Sequence, residues 1–87
     1  MINGLLIDFL EDIRSQIHAH PEFKTDLGKR ESLADELMMI EETYVDGCSI
    51  EINHKMIFLS MRIDDGDIEG IDKDFDSLIE DIRNTKI

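Results

Sequence analysis

The spacing of apolar residues between positions 48 and 63, CSIEINHKMIFLSMRI, constrains the fold more than any other stretch of this chain. Ile50 and Ile52 recur at every second position, and so do Ile57, Leu59, Met61 and Ile63. A period of two places these side chains on one face of a pleated ribbon. With His54-Lys55 as a two-residue turn, Ile52 falls opposite Ile57, Ile50 opposite Leu59 and Cys48 opposite Met61, all on one face, as antiparallel pairing requires. The spacing therefore predicts a two-stranded antiparallel hairpin. Met56 and Phe58 fall on its outer face, where Phe58 meets either a helix or a second copy of the chain, so a homodimer stays open.

The flanks read as helices. Leu6, Phe9, Leu10, Ile13 and Ile17 form a stripe at helical spacing, predicting a helix over 4–19 with Asn3 as its cap and Pro21 as its stop. Residues 21–29 form a connection anchored by Phe23 and Leu27. Leu33, Leu37, Ile40 and Tyr44 repeat at four, three and four, widened by Ala34 and Met38, which predicts a second helix over 30–44; Asp46-Gly47 then signals a turn. Phe75, Leu78, Ile79 and Ile82 predict a last helix over 72–84. A lone hairpin is marginal in water and must lay its apolar face on the helices. The expected architecture is α+β: a two-layer domain in the order α-α-β-β-α, with the hairpin packed on three helices and residues 1–87 forming a single domain. A chain of 87 residues buries only about 60% of its unfolded surface, enough for one modest core and no deep cleft.

Charge is unevenly spread. The net value is −12, but residues 47–63 carry +1, while residues 24–46 carry −4 and residues 64–87 carry −6. Such a balance disfavours nucleic acid and anionic membrane as direct partners and favours a basic protein surface, a cation or plain solubility. No apolar run approaches the length of a membrane span. The first residues, MINGLLIDFLED, lack the basic start and cleavage site of a signal peptide, and one cysteine forms no internal disulfide; these features point to the cytoplasm.

Few residues suggest chemistry. Asp65, Asp67, Glu69, Gly70 and Asp76 stand at positions 1, 3, 5, 6 and 12 of a calcium-loop spacing, which makes a calcium-responsive module one reading. Against it, position 12 is the shorter aspartate and the entering element reads as a strand. Cys48 alternates inward, like a small buried hydrophobe. His54 lies roughly 20 Å from it along an extended strand, so no Cys–His pair forms. His18 and His20, two apart, point away from each other on a helix. No phosphate loop or nucleophile elbow is present, and no carboxylate pair is marked for acid/base work. No metal, no cofactor and no enzymatic activity are expected.

The carboxylates themselves are the candidate site. Asp72, Asp76 and Glu80 repeat at i, i+4, i+8; Glu31, Asp35 and Glu42 lie near one line of the second helix; Asp65, Asp67 and Glu69 fill the turn between. Like charges at this spacing repel by a few tenths of a kcal/mol per pair. An uncompensated array of this kind stands in for a phosphate backbone, and its natural partner is a basic, nucleic-acid-binding protein such as a nuclease. The leading expectation is a non-catalytic interaction module that binds and inhibits such a protein as a DNA mimic, in the manner of phage anti-defence and immunity proteins.

A second pattern implies something else. In residues 23–42, Phe23, Asp26-Leu27-Gly28 and Glu36-Leu37 fall at spacings that resemble the acyl carrier proteins, and FDSLIEDI at 75–82 is similar to their last helix. That resemblance implies an all-helical carrier bearing phosphopantetheine on a serine. Glu31, however, stands at the position of the attachment serine, with Ser32 one place later, and the ribbon has no counterpart in a carrier.

Overall fold

Residues 48–63 do not form a hairpin. The computed structural model describes residues 2–85 and contains no strand among them. Its four helices are α1 (Ile2–His18), α2 (Leu27–Ile40), α3 (Ile50–Asp65) and α4 (Ile71–Arg83). The α+β expectation is therefore overturned: the protein is all-helical.

Local chemistry explains why α3 is a helix. Ser49 is extended (φ −149°, ψ 117°), and its hydroxyl accepts from the Ile52 amide at 3.3 Å, an N-cap at the head of the segment. At the other end Gly66 adopts the left-handed conformation, and the Asp67 amide reaches back to the Arg62 carbonyl at 2.9 Å. That is the closure a glycine permits after a last helical turn. Between these stops Ile52, Met56, Leu59 and Ile63 recur at four, three and four, and all are essentially inaccessible. Met56, placed outside by the alternating reading, is at 0% exposure. Ile50 and Met61, placed inside, are 77% and 57% exposed. Cys48 also moves: it lies exposed in the turn before α3, not in the core.

The other helices follow their apolar stripes, with shifted ends. Asn3 does not cap α1; it lies inside the helix, and its amide nitrogen donates to the carbonyls of Ile82 (2.7 Å) and Thr85. These bonds tie the head of α1 to the tail of α4. Helix α2 starts three residues before the expected Arg30, because the Asp26 carboxylate accepts from the Lys29 amide at 3.1 Å. A single 3-10 turn, Phe23–Thr25, precedes it. Phe23 is fully buried, as its anchoring role requires, whereas Leu27, the other expected anchor, is 56% exposed. After Ile40 the backbone loosens into a π-helical turn, Glu41–Val45, closed by the bond from the Asp46 amide to the Glu41 carbonyl at 3.0 Å. This turn seats Val45 in the core and lays Tyr44 against Phe9, with ring centroids 5.9 Å apart.

Helices α2 and α3 form an antiparallel hairpin, with Arg30 near the head of α2 bonded to the carbonyl of Asp64 near the tail of α3. Helix α4 packs on both α3 and α1. The core runs between them, through Leu10 and Ile13, Leu37, Leu59 and Ile63, and Phe75 and Ile82. Among the described residues no helix is long and apolar enough to cross a membrane.

Candidate functional site

The fold divides the nine candidate carboxylates into two groups. On α4, Asp72 and Asp76 face Arg14 of α1, whose guanidinium lies 3.6 Å from one and 2.8 Å from the other. Asp72 also meets His18 at 2.9 Å, and Glu80 lies 3.9 Å from Arg83. Asp67 in the turn is 3.4 Å from Arg62, which also bonds Asp74 and the backbone carbonyl of Glu69; the Glu69 carboxylate itself is exposed and has no ion-pair partner among the described residues. The α4 line is thus threaded by basic groups from neighbouring helices, something the one-dimensional spacing could not display. Hydrogen bonding to His18 and the nearby Arg14 hold the Asp72 carboxyl below its usual range, despite some desolvation. Arg14 is half sunk between α1 and α4, its guanidinium carbon 5.5 Å from the Phe75 ring centre. Desolvation opposes its charge, but the bonds to Glu11 and Asp76 outweigh it and raise its pKa further.

The second group is different. Glu31, Asp35 and Glu42 are exposed, and none has an ion-pair partner among the described residues. The same holds for Asp65 at the tail of α3, and for Asp64, which the sequence pattern did not single out. These acids border the α2–α3 hairpin, and between its helices runs an open groove of about 320 Å³. Asp35 and Met38 line it from α2; Ile57, Met61 and Asp64 line it from α3. Ala34 and Ser60 form its floor, both nearly inaccessible. A second groove, between α3 and α4, is lined by His54, Lys55, Phe58, Asp74 and Ser77. The outer edge of α3, with Ile50, Phe58 and Met61, is the apolar ridge between the two. The signal for it was in the sequence: Ile50, His54, Ile57, Phe58 and Met61 fall within one arc of a helical wheel, which the alternating reading split between two strand faces.

Other residue expectations resolve by position. Asp76, the twelfth position of the calcium spacing, lies within α4 against Arg14, and Asp67 is turned to Arg62, so the loop oxygens do not converge. Among the described residues, no three His, Cys, Asp or Glu side chains are placed to hold a metal ion. His20 bonds Asp26 at 2.9 Å, and Cys48 Sγ lies 3.8 Å from the Tyr44 carbonyl. For a carrier, the helical α3 removes the ribbon as an obstacle, but Glu31 keeps the serine's position, and Ser32 sits in the second turn of α2.

One buried carboxylate was missed. Glu41, at the head of the π-helical turn, is 3% exposed, and its carboxylate accepts from the side-chain Nδ2 of Asn53 on α3. Burial pushes its carboxyl up, and Asp46 and Glu42 add to the shift. The folded state therefore holds the proton more tightly than the unfolded state. Its favourable contribution is fully present below the ordinary carboxylate range and is lost as pH rises through the raised folded value. Glu41→Gln keeps the acceptor for Asn53 and removes the charge. It is expected to stabilise the protein at pH 7 by on the order of 1 kcal/mol, several degrees in Tm, with the gain gone near pH 3.5. Thermal unfolding of both proteins at the two pH values checks this; a gain that persists at low pH contradicts it.

No family model, curated protein or solved structure matches this chain.

Proposed function

We propose that this protein is a non-catalytic acidic module that docks on the basic surface of a nucleic-acid-binding protein, such as a nuclease, and occludes it in the cytoplasm. The observation that carries this reading is the asymmetry of its carboxylates. Those of α4 are held by Arg14, His18 and Arg62, whereas the carboxylates of Glu31, Asp35, Glu42, Asp64 and Asp65 along the α2–α3 hairpin have no ion-pair partner among the described residues. Glu31 and Asp35 are one turn apart, about 6 Å along the axis. Their mutual repulsion is small for each pair, but a basic partner would relieve it and neutralise the array. Steering by a −12 chain speeds encounter and makes it salt-sensitive. The shallow grooves and small core suit a surface that covers a partner better than one that encloses a substrate.

The test compares the wild-type chain with the triple variant Glu31→Lys/Asp35→Lys/Glu42→Lys and with Glu80→Lys on α4. Each is immobilised and presented with host lysate at low salt. A basic protein retained by the wild type and by Glu80→Lys, released by about 0.5 M salt and not retained by the triple variant, is the expected result. Equal retention by the triple variant removes α2 from the reading. Retention indifferent to salt removes electrostatic docking altogether.

A further inference from the structure

The open side of the α2–α3 hairpin carries more than charge, and its shape suggests what kind of partner segment it takes. The following inference rests on the reading above and names the segment that docks. We propose that the groove between α2 and α3 is the seat of a basic amphipathic helix supplied by the partner protein.

Three features of the groove support this. Its floor is small: Ala34 and Ser60 leave room for a third helix to approach, and the Ser60 hydroxyl is already spent on the Ile57 carbonyl at 2.7 Å. A partner's apolar side chains therefore meet no unpaired donor there. Its walls are soft, formed largely by Met38 and Met61, and methionine side chains adapt to apolar surfaces of varied shape. Met61 is 57% exposed with no apolar cover among the described residues. Its edges are acidic on both sides, with Asp35 on the α2 wall and Asp64 on the α3 wall, and no basic residue lines it. An apolar trough between two carboxylate rims is complementary to a helix with one apolar stripe flanked by Lys or Arg, the helix-in-groove mode of recognition. A second copy of this chain is a poor occupant by the same charge argument, because it brings further carboxylates to the rims. The neighbouring α3–α4 groove is lined by Lys55 as well as Asp74, so it lacks this one-signed rim.

The experiment uses two fluorescent peptides of about 14 residues, long enough for helix formation on binding. Both contain the same leucines and lysines. One spaces leucine at i, i+3, i+4 and i+7; the other scrambles the order so that no face is apolar. Anisotropy titrations are run on the full chain, on Met61→Glu and on Glu80→Lys. The expected result is that the patterned peptide binds at least about tenfold tighter than the scrambled one, and that Met61→Glu removes the difference while Glu80→Lys keeps it. Circular dichroism checks that Met61→Glu, a change at an exposed site, stays folded; Met38→Glu gives a second probe of the same wall. If both peptides bind alike and release with salt, the groove proposal is overturned while electrostatic docking stands. If neither binds, both fail. A patterned peptide that binds Met61→Glu and Met38→Glu as well as the wild type has another seat, which also overturns the proposal. So does a concentration-dependent dimer that Met61→Glu abolishes, since the groove then belongs to a second copy.

Discussion

Met56→Asp is expected to leave the protein without a cooperative unfolding transition at 25 °C, while Phe58→Asp, two residues away, is expected to unfold almost as the wild type does. The two substitutions are the same size of chemical insult at sites that an alternating pattern would place on one face. On α3 they are separated by about 200° of rotation. Met56 is at 0% exposure among core side chains, and Phe58 is 61% exposed on the outer ridge. A carboxylate at position 56 is buried with no basic partner in reach of the core, and the methionine packing is lost as well. The combined cost is about 4 kcal/mol or more. Natural domains hold about 0.05–0.15 kcal/mol per residue, and at the low end of that range a loss of this size leaves a chain of 87 residues with little or no stability. At position 58 the carboxylate stays in water, and the change is within about 0.5 kcal/mol. Circular dichroism with urea titration reads both. Equal tolerance of the two substitutions would mean that residues 48–63 are a ribbon after all, with both side chains on its outer face.

That pair of sites also shows where the sequence was legible and where it was not. The stripes of α1 and α4 could be read directly, because each is a clean apolar face set against charge: Leu6, Leu10, Ile13 and Ile17 on one, and Phe75, Leu78, Ile79 and Ile82 on the other, are all buried. The stretch containing α3 carries two apolar sets at once. Ile52, Met56, Leu59 and Ile63 face the core, and Ile50, Ile57, Phe58 and Met61 form the outer ridge. Superimposed on one line of text they alternate, and a period of two appears where none exists in space. The arbiters were the ends: Ser49 at the N-cap and Gly66 beyond the last turn mark a helix of sixteen residues, and His54-Lys55 lacks the glycine or asparagine that a tight hairpin turn demands. The charge pattern failed in a related way. Glu31, Asp35 and Glu42 could be placed on one line from spacing alone. Only the packing of α1 against α4 reveals that Arg14 occupies the space between Asp72 and Asp76, so that equal-looking acid stripes have unequal neighbours. Glu41 stands four residues after Leu37 and seven after Ala34, both buried, so the helical wheel of α2 already placed it on the core face; only its charge made it read as a surface acid.

Gly66→Ala is expected to cost about 3 kcal/mol, whereas Gly47→Ala is expected to cost about 1 kcal/mol. Both glycines have positive φ, 73° and 81°, so an alanine pays a left-handed penalty of about 1–2 kcal/mol at either site. They differ in what a new methyl group meets. At Gly47 nothing lies within 4 Å. At Gly66 the added carbon falls 2.9 Å from the Lys24 carbonyl oxygen and 3.1 Å from Arg30 Cδ. The carbonyl cannot retreat easily, for Lys24 follows the fully buried Phe23 in the 3-10 turn. Arg30 is no freer, since its guanidinium donates to the Lys24 carbonyl at 2.6 Å and to the Asp64 carbonyl at 3.1 Å. One glycine thus sits under a clamp that joins the connection after α1, the head of α2 and the tail of α3. Overpacking there adds about 1–3 kcal/mol to the backbone strain. Denaturant midpoints of the two variants measure the difference directly, because the shared conformational penalty largely cancels between them. Equal losses would mean that the clamp does not close on Gly66. A selective loss at Gly66 carries a functional consequence, because the displaced tail of α3 bears Asp64, one acidic wall of the α2–α3 groove. Peptide binding in that groove should therefore weaken in Gly66→Ala at temperatures where the variant is still fully folded, and it should be unchanged in Gly47→Ala.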